Sequence, residues 1–279
     1  MTAATSSAGA DVGRDRDRRW RRIRAVVRRH TYVQRRGWHR WFDVAVWPVV
    51  DTVIWGSIGI FVDQQGGAAR AGAPYMLSGI LLMHVLYQAN ISVSTGFMEE
   101  TWSRNLLNFM VTPLRETEYL AGIMLFGLAK LAVGLGMVGL SALVLYSFNL
   151  LSIGWGLIPI VGVLMLVGWC IALYVIAFVL RFGNGAEILA WGVLFVVVAL
   201  SGAFYPVDAL PGALRPVSQV LPSTHAFEAA RTILDGDPLP WARLGYAAAA
   251  LAVFIPLAIV HLQRTLRTFR SRGYITRYS

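Results

Sequence analysis

The sequence predicts an all-α polytopic membrane protein. Of its 279 residues, 56% are hydrophobic and only 14% are charged, where soluble domains carry roughly a quarter of charged residues. Mean hydropathy is +0.57, and a soluble domain with so few polar residues could not cover its own surface. The apolar residues gather into six runs, Val44–Val62, Pro74–Phe97, Tyr119–Phe148, Ile153–Val179, Ile188–Tyr205 and Trp241–Leu262. Each is roughly 18–30 residues long, and about 20 suffice to cross the hydrocarbon as a helix. Within a bilayer every backbone polar group must be paired, so each run is expected to be helical. These numbers exclude a disordered tail, a disulfide scaffold and an ordinary cytosolic enzyme.

Residues 1–13 are small and polar and are expected to be disordered. Residues 14–40 hold 12 of the 24 arginines. Trp20, Ile23, Val27 and Thr31 recur there at helical spacing, with arginines on the other faces, which predicts an amphipathic helix lying at the membrane interface. The segment is unlike a cleavable signal peptide: its charged part is too long and more spans follow it. Residues 41–262 hold the six runs, and 263–279 form a second basic flank, with five arginines between Arg264 and Arg277. The net charge of +10 therefore sits at the two ends rather than spread over a surface, which argues against nucleic acid and for anionic lipid. An even number of spans with both flanks Arg-rich predicts both termini on the cytoplasmic side.

That orientation sorts the connections. Residues 63–73 make a short outer loop, and Asn149–Ser152 a tight outer turn. Residues 98–118 lie inside: Trp102, Leu106, Phe109 and Met110 share a helical face, Glu99, Glu100, Arg104 and Asn108 fall elsewhere, and Thr112-Pro113 stops the helix, because a residue before proline avoids the helical region. Arg181–Glu187 is a short inner loop. The long outer segment 206–240 is too apolar for a solvated loop. Pro206, Pro211, Pro216 and Pro222 divide it, and two short helices are expected near Asp208–Val220 and Ser223–Leu234, capped by Asp208 and Ser223. Both are too short to span, so they should dip into the outer leaflet or pack on the bundle.

Inside the spans, ionisable and polar residues are candidates for function. Asp51 in the first span has Thr52 and Trp55 nearby, and His84 and Gln88 share a face of the second. These line a path, or Asp51 pairs with a neighbouring helix, His84 included, as packing glue. Trp191 is an interface anchor with a substrate role as the lesser reading. Lys130 in the third span lacks an acidic partner on its own helix and would snorkel if that span began later than Tyr119. Cys170, the single cysteine, reads as a buried small hydrophobe. There is no Gly-x-x-x-x-Gly-Lys-Ser/Thr loop, so the chain has no phosphate cradle of its own, and no spacing suggests a metal site or a catalytic set.

Two stretches resemble the ABC-2 type transporter permeases, the membrane halves of ATP-driven exporters, in the NodJ-like and DrrB-like group. The first is Glu99-Glu100-Thr-Trp102-Ser-Arg104-Asn-Leu-Leu-Asn-Phe109-Met110-Val-Thr112-Pro113-Leu114. The second is Ser201-Gly-Ala-Phe-Tyr-Pro206-Val-Asp208-Ala-Leu-Pro211-Gly, followed by Leu221-Pro222-Ser-Thr-His225-Ala-Phe-Glu228-Ala-Ala-Arg231. The resemblance implies that Glu99–Leu114 is a coupling helix docking on an ATP-binding subunit, with Glu99, Glu100 and Arg104 contacting that subunit and Phe109 and Met110 anchoring the helix on the span ends. Arg181 and Glu187 would mark a second, smaller contact, and 14–40 an interface helix near the ATPase. Two permease copies, or one copy and a paralogue, would pair with two ATP-binding subunits and enclose a path lined by spans one, two and five. Pro206–Leu234 would close it outside as a re-entrant region. The resemblance further implies export of a hydrophobic or amphipathic substrate (a drug, a natural product or a lipid-linked glycan) across a bacterial inner membrane, with ATP and Mg held by the partner and no cofactor in this chain. The competing readings are a membrane-embedded lipid-modifying enzyme, for which only Asp51 and His84 offer a pair, and a non-transporting membrane adaptor for an ATPase.

Overall fold

A computed structural model of the chain describes residues 4–64, 73–102, 112–183 and 187–271. All regular structure among these residues is helical. The chain runs through α1 (Ala4–Arg36), α2 (Trp38–Trp41), a π-helical turn (Phe42–Val46), α3 (Trp47–Gln64), α4 (Ala73–Trp102), α5 (Glu116–Tyr146), a 3₁₀ turn (Leu150–Gly156), α6 (Leu157–Phe182), α7 (Glu187–Leu200), a second 3₁₀ turn (Val207–Ala209), α8 (Arg215–Val220), α9 (Pro222–Leu234) and α10 (Trp241–Ser271). Helix α1 begins at Ala4, inside the stretch expected to be disordered. Ala4, Ala8 and Ala10 give that stretch helix propensity that its polar character had obscured.

Among the described residues, five helical stretches are long and apolar enough to cross a membrane: Phe42–Gln64, Pro74–Glu100, Glu116–Tyr146, Leu150–Phe182 and Trp241–Thr268. The expected span Ile188–Tyr205 is not among them. Helix α7 has 14 residues, about 21 Å at 1.5 Å per residue against a hydrocarbon thickness of roughly 30 Å. It stops where Gly202 takes a positive φ of 63°.

Burial separates a centre from a periphery. The spanning windows of α4 and of the stretch through α6 are 89% and 72% buried, those of α3, α5 and α10 only 22–28%. A helix apolar on every face is a core or membrane element, and α4 is the core one here. It packs against α3, α5 and α6, while α10 lies on the far side of α6. Lipid tails give helices no hydrophobic reason to associate, so close contact must come from small residues. Gly168 of α6 supplies it: a Cβ there would sit 2.6 Å from the Leu86 carbonyl oxygen and 2.7 Å from Ala89 Cβ of α4. Large apolar side chains such as Leu140, Val144, Trp241 and Val253 remain exposed on the outer helices, as a lipid-facing surface requires. Cys170 is buried as expected, its thiol donating to the Phe254 carbonyl at 3.5 Å.

Local signals set the ends. Helix α5 starts with a capping box in which the Arg115 backbone N–H donates to Glu118 Oε2 at 3.0 Å, two residues after the Thr112-Pro113 break. It ends at Ser147 in the left-handed region, and Asn149 caps the next turn by accepting from Leu151 N–H at 3.0 Å. The π-helical turn before α3 precedes Pro48, which has no N–H to donate to a regular helical bond.

The outer segment is more broken than expected. Instead of one helix from Asp208, a 3₁₀ turn holds Asp208 at its centre, Pro211 lies in an exposed bend, and α8 starts only at Arg215. Neither expected N-cap acts as one. Helix α9 starts with Pro222 at its first position, pre-set for helical φ, and Ser223 instead shares a hydrogen bond with Ser201 at 2.5 Å. The apolar face of α9, with Ala226, Phe227, Ala229 and Ala230 buried, packs on α4, α6 and α10.

Candidate functional site

A cleft of about 640 Å³ opens between α3, α4 and α7. Helix α3 contributes Trp47, Asp51 and Trp55, α4 contributes Met83, His84 and Tyr87, α7 contributes Trp191, Leu194, Phe195, Val198 and Ala199, and the turns at either end add Phe42, Asp43, Phe204 and Tyr205. Four of the six path candidates, Asp51, Trp55, His84 and Trp191, therefore share one wall system. The other two stand behind it. Thr52 is fully buried and donates to the Pro48 carbonyl at 2.8 Å, and Gln88 is fully buried with its amide reaching the Asp43 carbonyl at 3.4 Å. Asp51 and His84 are not bonded to each other: Asp51 makes no ion pair or hydrogen bond among the described residues, and His84 Nε2 lies where a Cβ on Gly134 of α5 would meet it at 2.7 Å. Trp55 stacks flat on Phe204, centroids 4.0 Å apart, and Tyr87 tilts against Trp191 at 5.5 Å.

A second chamber of about 350 Å³ continues the cleft towards α1. It shares Asp43, Tyr87 and Trp191 with the cleft and is otherwise more polar, with His30, Gln34, Arg40, Ser92, Thr95, Glu99 and Lys130 in its walls. The shared residues form the junction. The Tyr87 hydroxyl donates to Asp43 Oδ1 at 2.6 Å, and Lys130 Nζ lies 3.6 Å from Asp43 Oδ2. Lys130 thus does not snorkel to the interface. It points inward to Asp43, a residue that sequence reasoning passed over. The available signal was an acidic residue between the arginine run and the first apolar run; the structure adds that it sits on a π-helical turn, a feature that frequently marks function.

Helix α1 roofs the chamber. Its buried stripe is Val26, His30 and Gln34, beside the stripe Trp20, Ile23, Val27 and Thr31 that the sequence assigns to the lipid side. Trp20 is 53% exposed. Gly122 of α5 admits this stripe, since a Cβ there would meet Val26 at 2.7 Å. His30 stacks on Phe126 at 5.6 Å, and burial, partly opposed by Glu100, holds its imidazole below its ordinary pKa. The arginines of α1 do not all face lipid phosphate. Arg29 forks onto both oxygens of Glu100, and Arg22 donates to the Pro113 carbonyl at 2.8 Å and to Glu118 at 3.2 Å; in α2, Arg40 meets Glu99 at 2.5 Å. Glu100 and Glu118 are buried, so each needs such a partner.

Of the expected coupling residues, Glu100 faces Arg29 of α1, and the part-exposed Glu99 faces Arg40 of α2. Thr112 and Pro113 are exposed and Leu114 half-buried. Arg104, Phe109 and Met110 lie outside the described residues, as does the side chain of Trp102. Both flanks of that segment, Glu99–Glu100 before it and Pro113–Glu118 after it, are tied to the same helix. Arg181 is exposed with its guanidinium over the Phe182 ring, and the side chain of Glu187 is outside the described residues.

At the other end of the bundle, the sequence missed Arg231. It is buried, donates to the Gly202 carbonyl and lies 4.1 Å from the centre of the Tyr75 ring, and burial lowers its pKa to about 10. Glu228 pairs with Arg243, and His225 Nε2 hydrogen-bonds the Gln219 carbonyl at 2.9 Å. Pro222 is buried, and Pro206, Asp208 and Pro211 are exposed. These contacts stitch α9 to the bundle. Among the described residues, no group of His, Cys, Asp or Glu is disposed to hold a metal ion.

Two comparisons bear on what such an arrangement does. The model of the ABC-2 type transporter family matches residues 20–234, from within α1 to the end of α9. Nodulation protein J of Rhizobium meliloti (strain 1021) is 36% identical over 76 residues, a stretch covering 26% of this chain and 29% of that protein.

Proposed function

The chain belongs to the ABC-2 type transporter family, and on that premise we propose that it is the transmembrane permease subunit of an ATP-driven exporter. It works with a separate ATP-binding subunit, present twice per complex, and with a second permease copy or a paralogue. It moves a hydrophobic or amphipathic substrate outward from the cytoplasmic side or inner leaflet. Both termini are cytoplasmic, α7 with the turn after it serves as the fifth of six spans, and residues 206–234 close the path outside.

One observation carries the reading. The Arg40–Glu99 ion pair is at once a wall of the polar chamber and a tie between α2, the short helix that continues α1, and the flank of residues 103–111. A push delivered to that segment by an ATP-binding subunit therefore reaches the path directly. Glu99 and Glu100 act through these helices in this mechanism: Glu100 clamps α1 and Glu99 clamps α2 to α4, while Arg22 clamps α1 to α5. When ATP binding draws the segment inward, α1, α4 and α5 move as one body against α3 and α7, and the cleft changes its opening. The exposed apolar faces of α3 and α7, with Ile54, Phe61, Phe195 and Val196, flank the cleft and suit contact with the second permease copy.

The test is the Glu99→Ala, Glu100→Ala pair in the reconstituted complex. Transport and substrate-stimulated ATPase activity are both expected to fall, because α1 is released from α4. If both stay at the unmodified level, the coupling assignment is wrong.

A further inference from the structure

The cleft holds two carboxylates in unlike settings. Asp43 is compensated by Lys130 and the Tyr87 hydroxyl. Asp51 has no hydrogen bond and no ion pair among the described residues, and no lysine or arginine lines the cleft around it. It is half-buried, and the surface about it is aromatic. Eight of the 15 lining residues are Phe, Trp or Tyr, against 12% of the chain. A negative charge set in an apolar cavity is costly unless something positive comes to it. Aromatic faces attract the same kind of partner, because their quadrupoles favour a cation held against the ring.

We infer that the cleft binds a hydrophobic organic cation, its charge on the Asp51 carboxylate and its apolar body against Trp47, Trp55, Trp191 and Phe195. The volume of about 640 Å³ is that of a site for a drug-sized molecule. The charge can be a permanent onium or a protonated amine, and it can arrive on a free solute or on the amine headgroup of a lipid. This substrate class rests on the exporter reading for its role in transport, though not for binding.

The test uses the full chain in nanodiscs of phosphatidylglycerol, whose headgroup carries no cation, with tetraphenylphosphonium as the cation and triphenylphosphine oxide as its neutral counterpart. Binding is measured by equilibrium dialysis after subtracting empty discs. Asp51→Asn is expected to weaken tetraphenylphosphonium binding by roughly tenfold or more, as loss of a desolvated charge contact implies. Asp51→Glu should retain it within about threefold, since the charge survives. Triphenylphosphine oxide should bind both variants like the parent, which shows that the cleft is still formed. Discs containing phosphatidylethanolamine separate the sources: a drop in cation binding that requires Asp51 identifies the lipid amine, and unchanged binding identifies the free cation. Unaltered tetraphenylphosphonium binding by Asp51→Asn, or an equal loss for the neutral compound, overturns the inference. Adding the ATP-binding subunit keeps the two failures apart. Charge-dependent binding without ATP-driven movement of the cation contradicts the exporter reading alone, and ATP-driven movement that ignores Asp51 contradicts the cation site alone.

Discussion

Asp43 and Lys130 meet at the junction of the two cavities from elements 87 positions apart. Their pairing places a charged contact among the residues that the two cavities share. Substituting Lys130→Met removes the cation and leaves Asp43 with only the Tyr87 hydroxyl. Because Asp43 is still about one-third exposed, the expected loss of stability is moderate, roughly 1–3 kcal/mol. The double variant Asp43→Asn, Lys130→Met should recover part of it, and thermal unfolding of the purified chain in detergent measures both. A double variant that loses the sum of what Lys130→Met and Asp43→Asn each lose alone would mean that the pair contributes no coupling. Legibility at this scale follows from rarity. Asp51, His84, Trp55 and Trp191 stood out because ionisable and aromatic groups in apolar runs are conspicuous. Asp43 did not, because it lies at the edge of its run and its meaning depends on a lysine that only tertiary packing brings near. For the same reason the arginine run of α1 read as lipid-facing: its acidic partners Glu99, Glu100 and Glu118 lie 59 to 96 residues away.

Helices were the most readable elements. Each of the six apolar runs contains a helix, since a long apolar segment has no other way to pair its backbone in a bilayer. Which face is buried was harder. In α1 the stripe packed on the protein, Val26, His30 and Gln34, includes two polar residues, and a pattern based on apolarity does not pick it out. The Pro-divided outer segment misled in another way: Pro222 at the first helical position displaced the expected serine cap. Contact between α4 and α6 is also invisible to periodicity, because it depends on the absence of a side chain at Gly168. Gly168→Val should push these helices apart. The nearest backbone atom, the Leu86 carbonyl, would lie 2.6 Å from the new Cβ, so the clash cannot be relieved by rotating a side chain. An overpacking cost of roughly 1–3 kcal/mol is expected, seen as a lower unfolding temperature and poorer recovery of folded chain, whereas Gly136→Ala, where a Cβ meets nothing within 4 Å, should be silent.

At the scale of the whole molecule, α4 is the axis around which the rest is arranged. One end carries the clamp to α1, the middle forms the cleft wall, and the other end abuts the turn at Ser201–Tyr205 and the helix α9. The basic flanks and the apolar middle were plain in composition. That the flank is tied to the core by ion pairs was not, and the proposed coupling rests on those ties. The direct measurement is cysteine labelling in the cleft, in the complex of this chain with its ATP-binding subunit. Phe195→Cys in a Cys170→Ser background reports opening, with and without a non-hydrolysable ATP analogue. The account predicts a several-fold change in labelling rate on nucleotide binding, its loss in Arg29→Glu, and its return when Glu100→Arg restores the pair. A rate indifferent to nucleotide, or one that responds equally with the Arg29–Glu100 clamp broken, would contradict it.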